Sequence, residues 1–168
     1  MKTNLVNLMS IVSEEEKKFN NYFSVLKSHA YNLSIQELDG TVNVTDDYAD
    51  DFKNEFEDYK SIQKNITKLK AVIYQKNNDF KLSDGRTIQE AIVDNTNLRK
   101  MKVLYESLLS MRNTKQRITE VHNSYFECKN VNFDIPTLKK EYEEIDNKIK
   151  ETDFEISKLN SIEFDIEL

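Results

Sequence analysis

Glycine occurs twice and proline once in 168 residues, and that scarcity constrains the fold more than any motif does. Sandwiches, barrels and doubly wound sheets turn often and need many such breakers, whereas long helices with few connections need almost none. With 38% apolar and 32% charged residues, the balance suits amphipathic helices that bury one stripe each. The expectation is an all-α fold: an elongated bundle of about four long helices, forming two antiparallel hairpins in a single helical domain over residues 1–168.

Apolar spacing of three and four places the helices. The first, over about 3–34, carries the seam Leu5, Leu8, Val12, Glu15, Phe19, Tyr22, Leu26, His29, Leu33. After the turn signal Asp39-Gly40 and the β-prone connector TVNVT, Thr45 is positioned to cap a helix over about 46–77, with Phe52, Phe56, Tyr59, Ile62, Ile66, Leu69 and Ile73 on one face. The third runs from about 88 to 117, after Thr87-Ile-Gln-Glu90, which has the form of a capping box. Residues 118–133 lose the helical period and read as a short extended or hairpin-like excursion. Asp134 caps a fourth helix over about 135–160, with Pro136 in its first turn. The tail, 161–168, alternates Ile162, Phe164, Ile166 and Leu168 with acids, the period of a strand suited to pairing with an edge of this chain or a neighbour.

Several function classes are disfavoured. A net charge of −6 repels an extended nucleic-acid backbone. The single cysteine, Cys128, and two histidines, His29 and His122, argue against a disulfide, a thiolate cluster or a histidine zinc site. The acidic run DDYADD, 46–51, reads as a solvated helix start and not a metal site. Spacing offers no catalytic triad and no glycine-rich phosphate loop, so no catalytic residue, metal or cofactor is expected. With no membrane span or signal peptide legible, a reduced, cytoplasmic setting in a bacterium or an infected host fits best.

One asymmetry points to a ligand. All four arginines, Arg86, Arg99, Arg112 and Arg117, fall within residues 86–117, where seven basic residues stand against three acids. Read in heptads, the third seam is Ile88, Ala91, Asn95, Leu98, Lys102, Tyr105, Leu109, Arg112. Polar groups at such positions must be paired or line a wet cavity. Paired, they form salt bridges that fix the register of an oligomer. Facing a cavity, Arg86 and Arg112 would clamp phosphate, Arg99 and Lys102 would add positive field, Asn95 would hydrogen-bond and Tyr105 would stack.

DGRTIQEAI followed by LRK resembles the D-G-R-T-[LI]-x-E-A-[LI] stretch of the bacterial septicolysin-like family, and the similarity extends loosely from about residue 50 to the C-terminus. The resemblance implies a helical protein and marks Asp84, Gly85, Arg86, Thr87 and Glu90 as motif positions, without a catalytic role. The chain departs from the family pattern in having no tryptophan and in carrying VDNTNLRK where an arginine-rich run is usual. The family's toxin-derived name implies membrane lysis, yet no basic amphipathic helix with an aromatic face is present.

The leading expectation is a non-enzymatic homo-oligomer whose third helix lines a pocket for a small anion such as a nucleotide, which it sequesters. Two alternatives stand beside it. One is a purely structural or protein-interaction module whose arginines form inter-subunit salt bridges. The other is a hydrolase assembled from carboxylates at a subunit interface.

Overall fold

The computed structural model describes residues 2–166. Their elements are β1 (Lys2–Thr3), α1 (Leu5–Ser28), β2 (Leu33–Gln36), β3 (Val42–Asp46), α2 (Ala49–Asp79), α3 (Ile88–Ser110), β4 (Thr114–Thr119), β5 (Ser124–Lys129), α4 (Ile135–Asn160) and β6 (Phe164–Asp165). The all-α expectation is overturned. Four helices are joined by six strands in three small antiparallel sheets, β1–β6, β2–β3 and β4–β5, so the fold is mixed α/β.

The scarcity of breakers misleads for a physical reason. The β2–β3 turn uses one glycine, Gly40, at φ +90°, whose N–H donates to the Glu37 carbonyl. The β4–β5 turn at Val121-His122 uses none and closes by a bond from Glu120 N–H to the Asn123 carbonyl. No non-glycine among the described residues has positive φ. Short hairpins of this kind need far fewer special residues than a large sheet does.

The chain forms two compact units: Met1–Asp79 with Asn160–Leu168, and Phe80–Leu159. In the first, α1 and α2 run antiparallel, joined by the β2–β3 hairpin. Their register is marked by Lys70 to Glu16 at 2.7 Å, by Phe19 stacked on Tyr59 with ring centres 4.2 Å apart and by Tyr22 Oη donating to Asp58. Leu8, Val12, Leu69 and Ile166 make its core, flanked by Ile11, Val72, Ile73 and Phe164. The alternating tail supplies two of these residues because β6 pairs with β1, Thr3 opposite Phe164. The last two residues of that tail, 167–168, lie outside the described residues.

Helix α1 is shorter than its seam suggests. Asn4 caps it, the side-chain oxygen accepting from Asn7 N–H, so residue 3 belongs to β1. It stops at Ser28, where the His29 N–H still bonds to the Val25 carbonyl. The His29 ring then stacks on Tyr48 and its Nδ1 lies 2.8 Å from Glu55, closing the hairpin. Leu33, in phase with the seam, belongs instead to β2 and is 57% exposed. Thr45 is in β3, where its hydroxyl donates to the Leu33 carbonyl; Asp47 takes over at the start of α2, accepting from Ala49 N–H.

In the second unit, α3 and α4 flank the β4–β5 hairpin. Asp84-Gly85 turns the chain, with Gly85 at φ +88°. The capping box is present in full: Glu90 N–H donates to Thr87 Oγ1, and Thr87 N–H donates to the Glu90 carboxylate. Leu82, Ile88, Ala91, Leu138 and Ile149 are buried. Asp134 starts α4, accepting from Thr137 N–H and Oγ1. Helix α3 ends at Ser110, well before Arg117, because the Arg112 guanidinium donates to the Leu109 and Met111 carbonyls and so closes the helix end. The hairpin that follows begins at Thr114, inside the stretch expected to be helical.

Burial and capping predict different costs. Leu8→Ala, at a fully buried position, is expected to lower stability by roughly 2–5 kcal/mol. Thr87→Ala should cost about 1 kcal/mol. Urea unfolding followed by circular dichroism measures both.

Candidate functional site

The polar seam of α3 faces α4, and the two helices form a ladder of side-chain pairs. Arg99 Nη2 donates to both carboxylate oxygens of Asp153, at 2.8 and 2.6 Å. Lys102 Nζ meets Asp146 at 2.6 Å, Tyr105 Oη donates to Glu141 at 3.0 Å and Tyr142 Oη donates back to Glu106 at 3.0 Å. Asn95 is 1% exposed, and its Nδ2 donates to the Ile149 carbonyl and to Asp153. Its Oδ1 is the one buried side-chain atom without a partner among the described residues. These long side chains span a wider gap than the one between α1 and α2, whose backbones approach closely.

Arg86 is held at the start of this ladder. Its Nε donates to Asp84 at 2.8 Å and its Nη1 to Asp94 at 2.8 Å, while Nη2 reaches Thr152 Oγ1 at 3.5 Å. Across from it, Ser83 donates through N–H and hydroxyl to Glu155 at 2.8 and 2.6 Å. The motif residues Asp84, Gly85, Arg86, Thr87 and Glu90 thus form a turn, a cap and an ion-pair clamp.

The six residues expected to grip an anion do not converge. Arg86 borders a cavity of about 550 Å³ whose wall also holds Asp84, Glu144, Glu151 and Glu155 against a single further cation, Lys148. Tyr105 borders another, of about 340 Å³, with Glu141, Glu144 and Lys148. Phosphate in either would face a carboxylate majority. Arg112 lines a third, of about 610 Å³, with Lys129, Leu108, Met111, Val131 and Phe133 and no carboxylate, although its Nη1 is engaged by two carbonyls. Asn95, Arg99 and Lys102 are committed to the ladder.

The electrostatics follow the pairs. The Arg86 guanidinium and its backbone N–H hold the Asp84 carboxyl below its ordinary 3.8, and the hydrogen bonds from Lys102 and then Lys150 do the same for Asp146. Bonds from Ser83 lower Glu155. Asp146 raises Lys102 above its ordinary 10.5, and the carboxylate acceptors Glu141 and Glu106 raise Tyr105 and Tyr142.

A second feature was hidden by the helical reading. On β2–β3, Leu33, Ile35, Leu38, Val42 and Val44 are between 55 and 109% exposed. On β4–β5, Val121, Tyr125 and Phe126 are exposed too. A two-stranded hairpin leaves both outer edges without a ladder partner, and edges of this kind template the binding of other chains. LSIQ alternates with period two, but the heptad phase of Leu33 masks it; VNVT lies in the stretch already read as β-prone.

A model of a family of unknown function, DUF6847, matches residues 30–163. The chain belongs to that family. No curated protein and no solved structure matches it. The DUF6847 match begins just before β2 and runs into the segment after α4, so it contains both exposed hairpins and the whole α3–α4 ladder. Among the described residues of this DUF6847 chain, no helix is long and apolar enough to cross a membrane.

The ladder sets a pH window. Asp84, Asp146 and Glu155 have lowered values when folded, so their stabilisation is full above the ordinary 3.8–4.5 and is lost as pH falls through the lowered values. The raised values of Lys102, Tyr105 and Tyr142 give stabilisation that is full below about 10 and is lost as pH rises through them. Urea midpoints are expected to be flat between these limits and to fall on both sides, with the acid limb shallower in Asp146→Asn. Asn95→Leu should leave stability unchanged or raised, because it removes an unpaired buried oxygen while Asp153 keeps Arg99.

Proposed function

We propose that this chain is a non-enzymatic protein-interaction module: two helical hairpins, each presenting a β-hairpin to partners. The observation that carries the reading is the β2–β3 hairpin, where five aliphatic side chains stand more than half exposed on a ladder of two short strands. Hairpins of this size are marginal alone and are stabilised by further strands or by packing. The charged seam of α3 supports the same reading from the other side, since its cations are spent on α4 within the chain. They serve as struts between the two helices.

Of the three cavities that the expected ligand residues border, the one beside Arg112 and Lys129, with no carboxylate in its wall, suits an anion best. Thermal shift with a panel of nucleotides separates the readings. The interaction module predicts no shift; an anion pocket predicts a rise in melting temperature, abolished by Arg112→Met. For the module itself, Ile35→Ser combined with Val44→Ser is expected to reduce capture of proteins from a cell lysate severalfold without lowering the helical signal. Unchanged capture would count against the β2–β3 hairpin as the binding element.

A further inference from the structure

The two hairpins are chemically unlike, and their difference names a partner. Between Leu33 and Asp46 the first carries Glu37, Asp39 and Asp46 and no basic residue, a net of −3. Its apex is Leu38, fully exposed between two of those acids. The second is basic on one face. Strand pairing places Lys115 opposite Cys128, Arg117 opposite Phe126 and Thr119 opposite Ser124. Directly opposed residues share a face and their neighbours take the other, so Lys115, Arg117 and Phe126 lie together while Glu127, opposite Gln116, lies on the reverse. That face bears two cations and no carboxylate. Lys115 Nζ sits 4.4 Å from the centre of the Phe126 ring, Arg117 Nε donates to Ser124 at 2.8 Å, and Phe126 remains 57% exposed.

Resting on the interaction-module reading, we propose that the partner is a second copy of this chain, joined through unlike hairpins: the acidic, aliphatic β2–β3 hairpin of one copy against the Lys115/Arg117/Phe126 face of β4–β5 of another. Pairing two acidic hairpins brings −3 against −3, and pairing two basic faces opposes four cations; both are repelled. The unlike pair brings opposite charges together and covers the apical Leu38 or Ile35, which strand pairing sets on the face away from Val44, with an aromatic ring. One sequence holds both halves, so a single kind of contact satisfies both surfaces. The contact is heterologous, and repeated use closes a ring or extends a filament.

Charge reversal tests this on the full chain by sedimentation velocity. The wild type is expected to associate with rising concentration, and roughly tenfold more weakly in 1 M than in 0.1 M salt, as the screening length falls from about 10 to about 3 Å. Lys115→Glu/Arg117→Glu and Glu37→Lys/Asp46→Lys should each be monomeric alone, and an equimolar mixture should associate again, because each supplies the charge the other lost. These acids avoid Asp39 and Asp47, which accept backbone N–H bonds in the turn and at the start of α2. Circular dichroism checks folding, and Lys115→Gln/Arg117→Gln with Glu37→Gln/Asp46→Asn repeats the test without reversed charge: each pair alone is expected to weaken association.

A monomeric wild type, variants that associate like it, or a mixture that stays monomeric would each overturn the proposal. A monomer that still captures lysate proteins through Ile35 and Val44 would retain the module and assign its partner to another protein. A monomer that binds a single-stranded oligonucleotide, lost with Lys115→Glu/Arg117→Glu, would assign the basic face to nucleic acid.

Discussion

Charged and amide side chains at positions where a helix normally buries leucine must find partners, and in the second unit that demand governs the rest. Asn95, Arg99, Lys102 and Tyr105 are answered in order along α4 by Asp153, Asp146 and Glu141. Long polar pairs hold the helices farther apart than Leu and Ile would. The wider spacing leaves a small apolar core, Leu82, Ile88, Ala91, Leu138 and Ile149, and charge pairs that define one register. An exposed pair is worth little on its own. Its value here is selective, since a slip of one turn would leave Asn95 facing neither the Ile149 carbonyl nor Asp153.

The first unit solves the same problem differently. Its helices meet through Leu8, Val12, Leu69 and stacked Phe19 and Tyr59, with polar pairs nearer the hairpin at Tyr22–Asp58 and His29–Glu55. The local plan is nonetheless repeated: helix, β-hairpin, helix. In both units the hairpin replaces the short loop that usually joins antiparallel helices, and in both it is far more exposed than the helices it joins. Apolar side chains placed at such an exposed connection bury little surface within their own unit, and the interaction role proposed for the hairpins rests on that.

What could be read from the sequence was what is decided locally. Thr87 and Glu90 declare their cap within four residues, and the seams of α2 and α4 follow from spacing alone, Phe56 excepted, which is 40% exposed. TVNVT and the 118–133 excursion showed their extended character, but β2 and the first residues of β4 were absorbed into helices, because scarcity of glycine weighs against large sheets and says little about one turn that needs Gly40 and another that needs none. Leu33 escaped because a strand residue fell in phase with a heptad. The fate of the arginines was undecidable for a different reason. Whether Arg99 meets Asp153 or a phosphate depends on which acids α4 presents, and that is a property of the pair.

The D-G-R-T stretch shows how a ligand-like motif arises from mechanical needs. A turn before a helix favours Asp and Gly, and a helix start favours Thr with Glu three residues on. Arg86 joins the turn only through its backbone, N–H to Asp84 and carbonyl to Leu82 N–H; its side chain is needed by neither device, and a guanidinium there would be a natural anion clamp. The carboxylates decide otherwise. Asp84 and Asp94 take its Nε and Nη1, one from the turn and one from the second turn of α3, so Arg86 ties the turn to the helix it precedes. An arginine already matched by two carboxylates, beside a cavity with two further glutamates and Glu155 in its wall, has little positive field left to offer a phosphate. Its work is to keep the start of α3 fixed, so that the ladder begins in register.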